Sequence, residues 1–213
     1  MPGGSITFGK EGHSRIEISK SVFIGDSIEV RTLEEAEGFV AGIRSEYPDA
    51  RHVCYAWRIA GETFMQKYSD DGEPSGTGGM PILNVLLKKD ISNAVITVTR
   101  YFGGILLGKG GLVRAYTDAA CAAAEDSGLV TVNEGLIFGL SSGYDRSEKI
   151  IRAINEKGFN VGDPVYGENV DIRVTVAKDR EQEFCALITD ISCGKIVPRK
   201  MGKAELREAL PQI

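Results

Sequence analysis

Nine glycines fall between Asp70 and Tyr116, in two stretches, SDDGEPSGTGGMPILNVL and RYFGGILLGKGGLVRAY. Glycine weakens the interior of helices and strands. At this density it calls for backbone that turns sharply or that lets another group come close. Three acids, Asp70, Asp71 and Glu73, and the guanidinium of Arg100 share the same window. Any fold for this chain has to accommodate two irregular, polar loops inside an otherwise apolar half.

At 213 residues the chain suits one large domain or two small ones, and 42% hydrophobic with 26% charged residues is the composition of a globular protein. No apolar run approaches the ~20 residues of a membrane helix. The N-terminal MPGGSITFGKEG lacks the apolar centre of a signal peptide. The expectation is a cytoplasmic protein without a membrane segment. Cys54, Cys121, Cys185 and Cys193 form no CxxC pair, and His13 and His52 are the only histidines. That argues against structural zinc and for free thiols. A net charge of −5 argues against a general nucleic-acid binder held by phosphate contacts. Residues 1–136 carry 13 basic and 18 acidic side chains, and residues 137–213 carry 12 of each. Lys195, Arg199, Lys200, Lys203 and Arg207 are opposed locally only by Glu205, which makes either a small basic patch or a solvated tail.

The hydrophobic periods place the elements. RIEISKSVFIGDSIEV reads as short strands. Thr32 and Glu35 form a capping box for a helix that Pro48 ends, with Leu33, Ala36, Phe39, Val40 and Ile43 on one face. HVCYAWRI is a strand with its core on the Val53, Tyr55, Trp57 side, turning at Gly61-Glu62 into TFMQKYS. Pro81 suits the first turn of a buried helix through Leu87. AVITVTRYF, β-branched on both faces, suits a central strand. Leu112 to Ser127 is an Ala-rich helix burying Val113, Tyr116, Ala120 and Ala123, capped by Gly128. Near residue 135 the pattern restarts. The strand GLIFGLSS leads to a helix with an Asp145–Glu148 capping box, then to strands FNVGDPVY and VDIRVTV. A helix with an Asp179–Gln182 box and a closing strand KIVP follow. The order is βαββαβ, a ferredoxin-like domain. Two α+β domains are therefore expected, 1–135 and 136–213, with no repeat of 20–50 residues.

Two loops could carry chemistry. Gly110 and Gly111 immediately precede the Ala-rich helix, so unpaired N–H groups, Lys109 and Arg114 could hold an anion there. Gly103 and Gly104 open the same loop. Neither a Walker loop nor a GxGxxG fingerprint is present. The competing reading is that these glycines turn the chain and let the helix sit on the sheet. Asp70, Asp71 and Glu73 could hold Mg²⁺ or Ca²⁺, or shuttle a proton, but DDGEPSG is also an ordinary turn with polar anchoring. Arg100 shares a strand face with Ile96 and Val98 and needs a partner: a structural clamp to one of those acids, or an anion presented to it. His52 and Cys54 are two apart on one strand. A hydrogen-bonded histidine at a strand start is favoured there over a Cys–His dyad.

The segments KSVFI, ARHVCYAWRI, SDDGEPSGTGGMPIL and RYFGGILLGKGGLVRAY resemble the IMPACT family (YigZ-like proteins in bacteria). They cover the first half densely. The second half is similar in pattern to the smaller C-terminal domain of bacterial members. Val53 departs from the family where a second histidine often follows the first. The resemblance implies for residues 1–135 a left-handed βαβ two-layer sandwich, shared by a small-subunit ribosomal protein's second domain and by domain IV of elongation factor G. For the rest it implies a ferredoxin-like domain akin to domain V of that factor. It implies eukaryotic relatives that regulate translation initiation by competing for a partner of a stress kinase. It supplies no catalytic residues, and two histidines do not suit a two-metal peptidase. One expectation is a non-enzymatic, translation-linked factor contacting RNA, the ribosome or a protein. The other is an anion- or nucleotide-binding enzyme or sensor using a cleft between the two loops. That cleft would be lined by Asp70, Asp71, Glu73, Arg100, Gly103, Gly104, Lys109, Gly110, Gly111 and Arg114, with His52 contributing. Neither expectation assigns a metal or a cofactor, and the oligomeric state stays open.

Overall fold

The computed structural model describes residues 4–61 and 63–211. Glu62, half of one expected turn, lies outside the described residues, as do the first three residues of the N-terminal segment. The elements are β1 (Ser5–Phe8), β2 (Gly12–Ile18), β3 (Ser21–Glu29), α1 (Leu33–Glu46), β4 (His52–Ile59), β5 (Met65–Ser69), α2 (Gly79–Lys88), β6 (Ala94–Tyr101) and α3 (Gly108–Ser127), then β7 (Leu129–Ser142), α4 (Tyr144–Glu156), β8 (Asn160–Val161), β9 (Val165–Tyr166), β10 (Val170–Ala177), α5 (Glu181–Ser192) and β11 (Arg199–Ala209). The chain is α+β throughout and divides into two compact units. One is built on Ser5–Thr131 with the chain from Glu208 onward, the other on Val132–Arg207, so the division falls inside β7 and β11.

In the first unit an antiparallel sheet runs in the order β2-β3-β6-β4-β5. β6 is central and buried on both faces from Ala94 to Arg100, as its β-branched composition demands. On one face Phe23, Cys54, Ala56, Ile96 and Val98 pack against α2 and α3. On the other Val95, Trp57 and Ile59 pack against Ala36 and Val40 of α1. The aromatic side of β4 is thus one core of two, and the larger lies under Cys54 and Ala56, where two helices cover the sheet. The alanines of α3 are explained by distance. Ser14 and Ser27 hydroxyls donate to the Ala119 and Ala123 carbonyls at 2.9 and 3.1 Å. A Cβ on Gly25 would stand 2.7 Å from the Ala119 oxygen.

The Thr32 cap forms: its hydroxyl accepts from the Glu35 N–H at 3.2 Å, and Glu35 returns to the N–H of Arg31 at 2.6 Å. The two later capping boxes do not. α4 starts at Tyr144 with Gly143 as its cap, which puts Asp145 inside the first turn; a tight turn at Lys178–Arg180 precedes α5, which no side chain caps. In the second unit β7 pairs with β10 and β11, and β10 with β8, giving the order β11-β7-β10-β8 of a ferredoxin-like sheet. Val170, Ile172, Val174 and Val176 face Ile150, Ile154, Phe184 and Ile188 of the two helices. The last strand begins at Arg199, after KIVP rather than within it. Its cations find partners: Lys200 meets Glu181 and Lys203 meets Glu134. The local excess of charge in the sequence is therefore partly neutralised by distant acids.

Candidate functional site

The loop after β5 is held by its own acids. Asp71, Gly72 and Gly76 take positive φ (43°, 84° and 76°), which folds the loop back on itself. The Asp70 carboxylate accepts from the N–H groups of Gly76, Gly78 and Gly79 at 2.8–2.9 Å. The Gly78 and Gly79 N–H groups open α2, so Asp70 fills, from eight residues upstream of Gly78, the anion position that a helix N-terminus offers. Gly78 and Gly79 permit the approach, since a Cβ there would stand 2.5 Å from the Cys54 sulfur and from the Ser69 carbonyl oxygen. Asp71 accepts from the Val53 N–H at 2.7 Å and from Arg44 at 2.6 Å. The His52 Nδ1–H donates to the Asp71 carbonyl (2.8 Å), and the Cys54 thiol donates to that of Asp70 (3.0 Å). Burial pushes the Cys54 thiol up to about 12. It is a neutral donor at physiological pH, not a nucleophile beside His52.

Glu73 turns inward. One carboxylate oxygen, Oε1, accepts from Arg100 Nη1 at 2.6 Å and from the Tyr116 hydroxyl at 2.8 Å. The Glu73 and Arg100 side chains are 3% and 8% exposed, so this is a buried ion pair. The Phe23 and Phe102 rings lie beside the guanidinium, each centroid 5.5 Å away. Burial, Cys54 and the Glu73 charge raise the pKa of the Tyr116 phenol, which keeps it a hydrogen-bond donor. The clamp that Arg100 requires is thus supplied by Glu73, with Tyr116 as a third member. Sequence periodicity puts Tyr116 on the buried face of α3 but says nothing of what its hydroxyl would meet.

The second loop does the opposite. Gly103 packs so tightly on the Lys20–Ser21 turn that a Cβ would overlap the Lys20 carbonyl, and its N–H donates to Ser21 Oγ at 3.1 Å. Gly104 and Gly108 take φ of +86° and +66°. α3 begins at Gly108, four residues before the expected Leu112, so Gly110 and Gly111 sit in its first turn rather than ahead of it. Glycine there still carries its backbone-entropy cost. Gly111 leans on Leu107, whereas Gly110 is exposed with nothing within 4 Å of its Cβ position. Lys109 and Arg114 are exposed, and among the described residues neither has an ion-pair or hydrogen-bond partner. Beside them stand Leu106, 88% exposed, and Phe102, Ile105 and Val113, all outward; Val113 was expected in the core.

The ten expected site residues therefore separate. Asp70, Asp71, Glu73 and Arg100, with His52, form an internal network. Gly103 and Gly104 shape a turn. Lys109, Gly110 and Arg114 face solvent, and Gly111 is half-buried between. Among the described residues no three His, Cys, Asp or Glu side chains stand together as a metal site.

Residues 19–124 match the model of the Impact N-terminal domain, and residues 140–195 that of a domain of unknown function (DUF1949). The chain is 36% identical over 189 residues to IMPACT family member YvyE of Bacillus subtilis, covering 89% of this chain and 87% of that protein. It is 34% identical over 182 residues to IMPACT family member YigZ of Escherichia coli, covering 84% and 89%. A solved structure described only as a hypothetical protein aligns over 94% of this chain and 98% of its own, at 30% identity and a TM-score of 0.59.

Proposed function

The chain belongs to the IMPACT family, and on that footing we propose that it is a translation-linked regulatory factor, without turnover, that works in the cytoplasm by binding. Its contact surface is the β6–α3 loop and the first turns of α3. One observation carries this reading. The carboxylates of the acidic loop are committed to the chain itself, while Ile105 and Leu106 of the second loop stand exposed and Lys109 and Arg114 have no partner among the described residues. A molecule that keeps Leu106 88% exposed bears a hydrophobic cost in the free state that a partner would relieve. The family resemblance supplies the link to translation.

The test is co-sedimentation with ribosomes across a salt series. Binding at low salt that weakens as salt rises is expected, and Lys109→Glu with Arg114→Glu should weaken it and flatten the salt slope. No co-sedimentation at low salt would overturn the reading.

A second reading keeps an anion or nucleotide at the start of α3. The observation in its favour is that Glu73, Arg100 and Tyr116 tie the acidic loop to β6 and α3, the elements that flank the second loop. Thermal shift against phosphate and nucleotides decides it, because a ligand of the folded state must raise the melting temperature.

A further inference from the structure

We infer that the surface formed by the β6–α3 loop and the outer face of α3 receives an acidic protein segment carrying spaced apolar side chains. The inference rests on the proposed function only for the location of the contact; what it adds is the chemistry of the partner.

Three independent features point to that occupant. First, the loop presents Phe102, Ile105 and Leu106, 52%, 46% and 88% exposed, and Val113 follows one helical turn after Lys109. Large apolar side chains gathered on one surface mark a site that another protein covers. Second, from Phe102 to Thr117 the only charged residues are Lys109 and Arg114, in a chain of net charge −5. Residues four apart share a helix face, so Lys109 with Val113 and Gly110 with Arg114 form one outward strip, and the next acid along the helix is Asp118. Both cations lack partners among the described residues, so a partner's carboxylates have no internal competitor to displace.

Third, Gly110 serves nothing inside the chain. Its φ is not positive, it is exposed, and a Cβ there would meet no atom within 4 Å. Open space beside a glycine in the first helical turn leaves room for another backbone to come close. RNA fits less well. Four apolar groups, of which one is aromatic, and two cations on an acidic protein make neither a stacking platform nor a basic groove.

Fluorescence anisotropy on the intact chain can test this with three labelled probes. The first is a synthetic peptide with leucines at i, i+3, i+4 and i+7 and glutamates between them. The second is its counterpart with lysines for glutamates, and the third is oligouridylate. The acidic peptide is expected to bind, and the basic one about ten-fold more weakly or worse. Leu106→Ser and Gly110→Ala should each weaken the acidic peptide about ten-fold, and Lys109→Glu with Arg114→Glu should invert the preference. Gly110→Ala is expected to melt no lower than the parent, so its loss of binding is not loss of fold. Equal binding of the two peptides, or an unchanged affinity in Leu106→Ser, overturns the inference. So does preference for oligouridylate, or self-association abolished by Leu106→Ser in a chain that binds no peptide. Peptide binding without ribosome co-sedimentation would sink the translation-linked reading and leave this inference standing. Co-sedimentation without peptide binding would do the reverse.

Discussion

At the scale of single residues, glycines of one motif serve opposite ends. Gly103 is required by the Lys20 carbonyl against it, and Gly110 by nothing in the chain. Gly103→Ala should destabilise the fold by about 1–3 kcal/mol through overpacking, whereas Gly110→Ala should stabilise it by up to about 1 kcal/mol. Urea denaturation of the two variants reads both signs. The buried pair behaves differently again. Glu73→Ala leaves Arg100 charged, buried and unpaired, which costs about 3–5 kcal/mol. In a Tyr116→Phe background, which leaves no phenol without this acceptor, replacing both, Glu73→Leu with Arg100→Met, should recover most of that loss, because the desolvation of both charges disappears with them. If the double variant proves as unstable as the single, the pair is held by something other than mutual neutralisation.

At the scale of elements, α2 owes its start to a residue outside it. Asp70→Ala removes the acceptor for three N–H groups and should cost about 1–3 kcal/mol, while Asp70→Asn, which keeps one carbonyl oxygen, should cost less. Melting temperatures of the two rank them. This cap was not legible as such: DDGEPSG reads as a turn, and only the folded loop brings Asp70 onto Gly78 and Gly79. The Thr32–Glu35 box was legible because it is local, with both partners inside four residues of one strand-to-helix junction. The Asp145 and Asp179 boxes failed where a glycine or a tight turn supplied the boundary one or two residues away. The start of α3 was missed for a related reason, since two adjacent glycines mimic a loop when their helix begins before them. For the candidate site, the sequence singles out the acids and the cations by their spacing among the glycines. Which of them turn inward is a matter of long-range packing, and no spacing rule reports it.

For the molecule as a whole, the β-branched run AVITVTRYF reads as a central strand and the alternation of VDIRVTV as a strand with one buried face, and both are strands in the fold. The pairing of dispersed charges was not visible from composition, and it contributes to acid sensitivity. Lys178 and Lys203 hold the Glu134 carboxyl down to about 2, so its stabilising contribution is complete above its ordinary 4.5 and fades as pH falls toward 2. Asp26 has the opposite sign. Burial raises its pKa despite the His13 ring at 2.7 Å, and its Oδ2 has no hydrogen-bond partner among the described residues. The folded state then holds that proton more tightly than the unfolded one, so the site costs stability as pH rises above 3.8, up to its raised folded value. Chemical denaturation at several pH values should show Asp26→Asn gaining on the parent between pH 4 and neutrality, the two converging in acid. Convergence in the other direction would mean that the histidine outweighs burial.

Tyr116 donates from a helix of the proposed contact surface to a carboxylate of the acidic loop, which is itself gripped by the sheet. That single oxygen makes a spectroscopic gauge. Any visitor that tilts α3 must stretch or release the phenol's bond, and the near-ultraviolet signature of a tyrosine changes when it loses an ionised acceptor. A partner whose binding moves α3 would then be read without a dye, by a near-ultraviolet change that is lost in Tyr116→Phe.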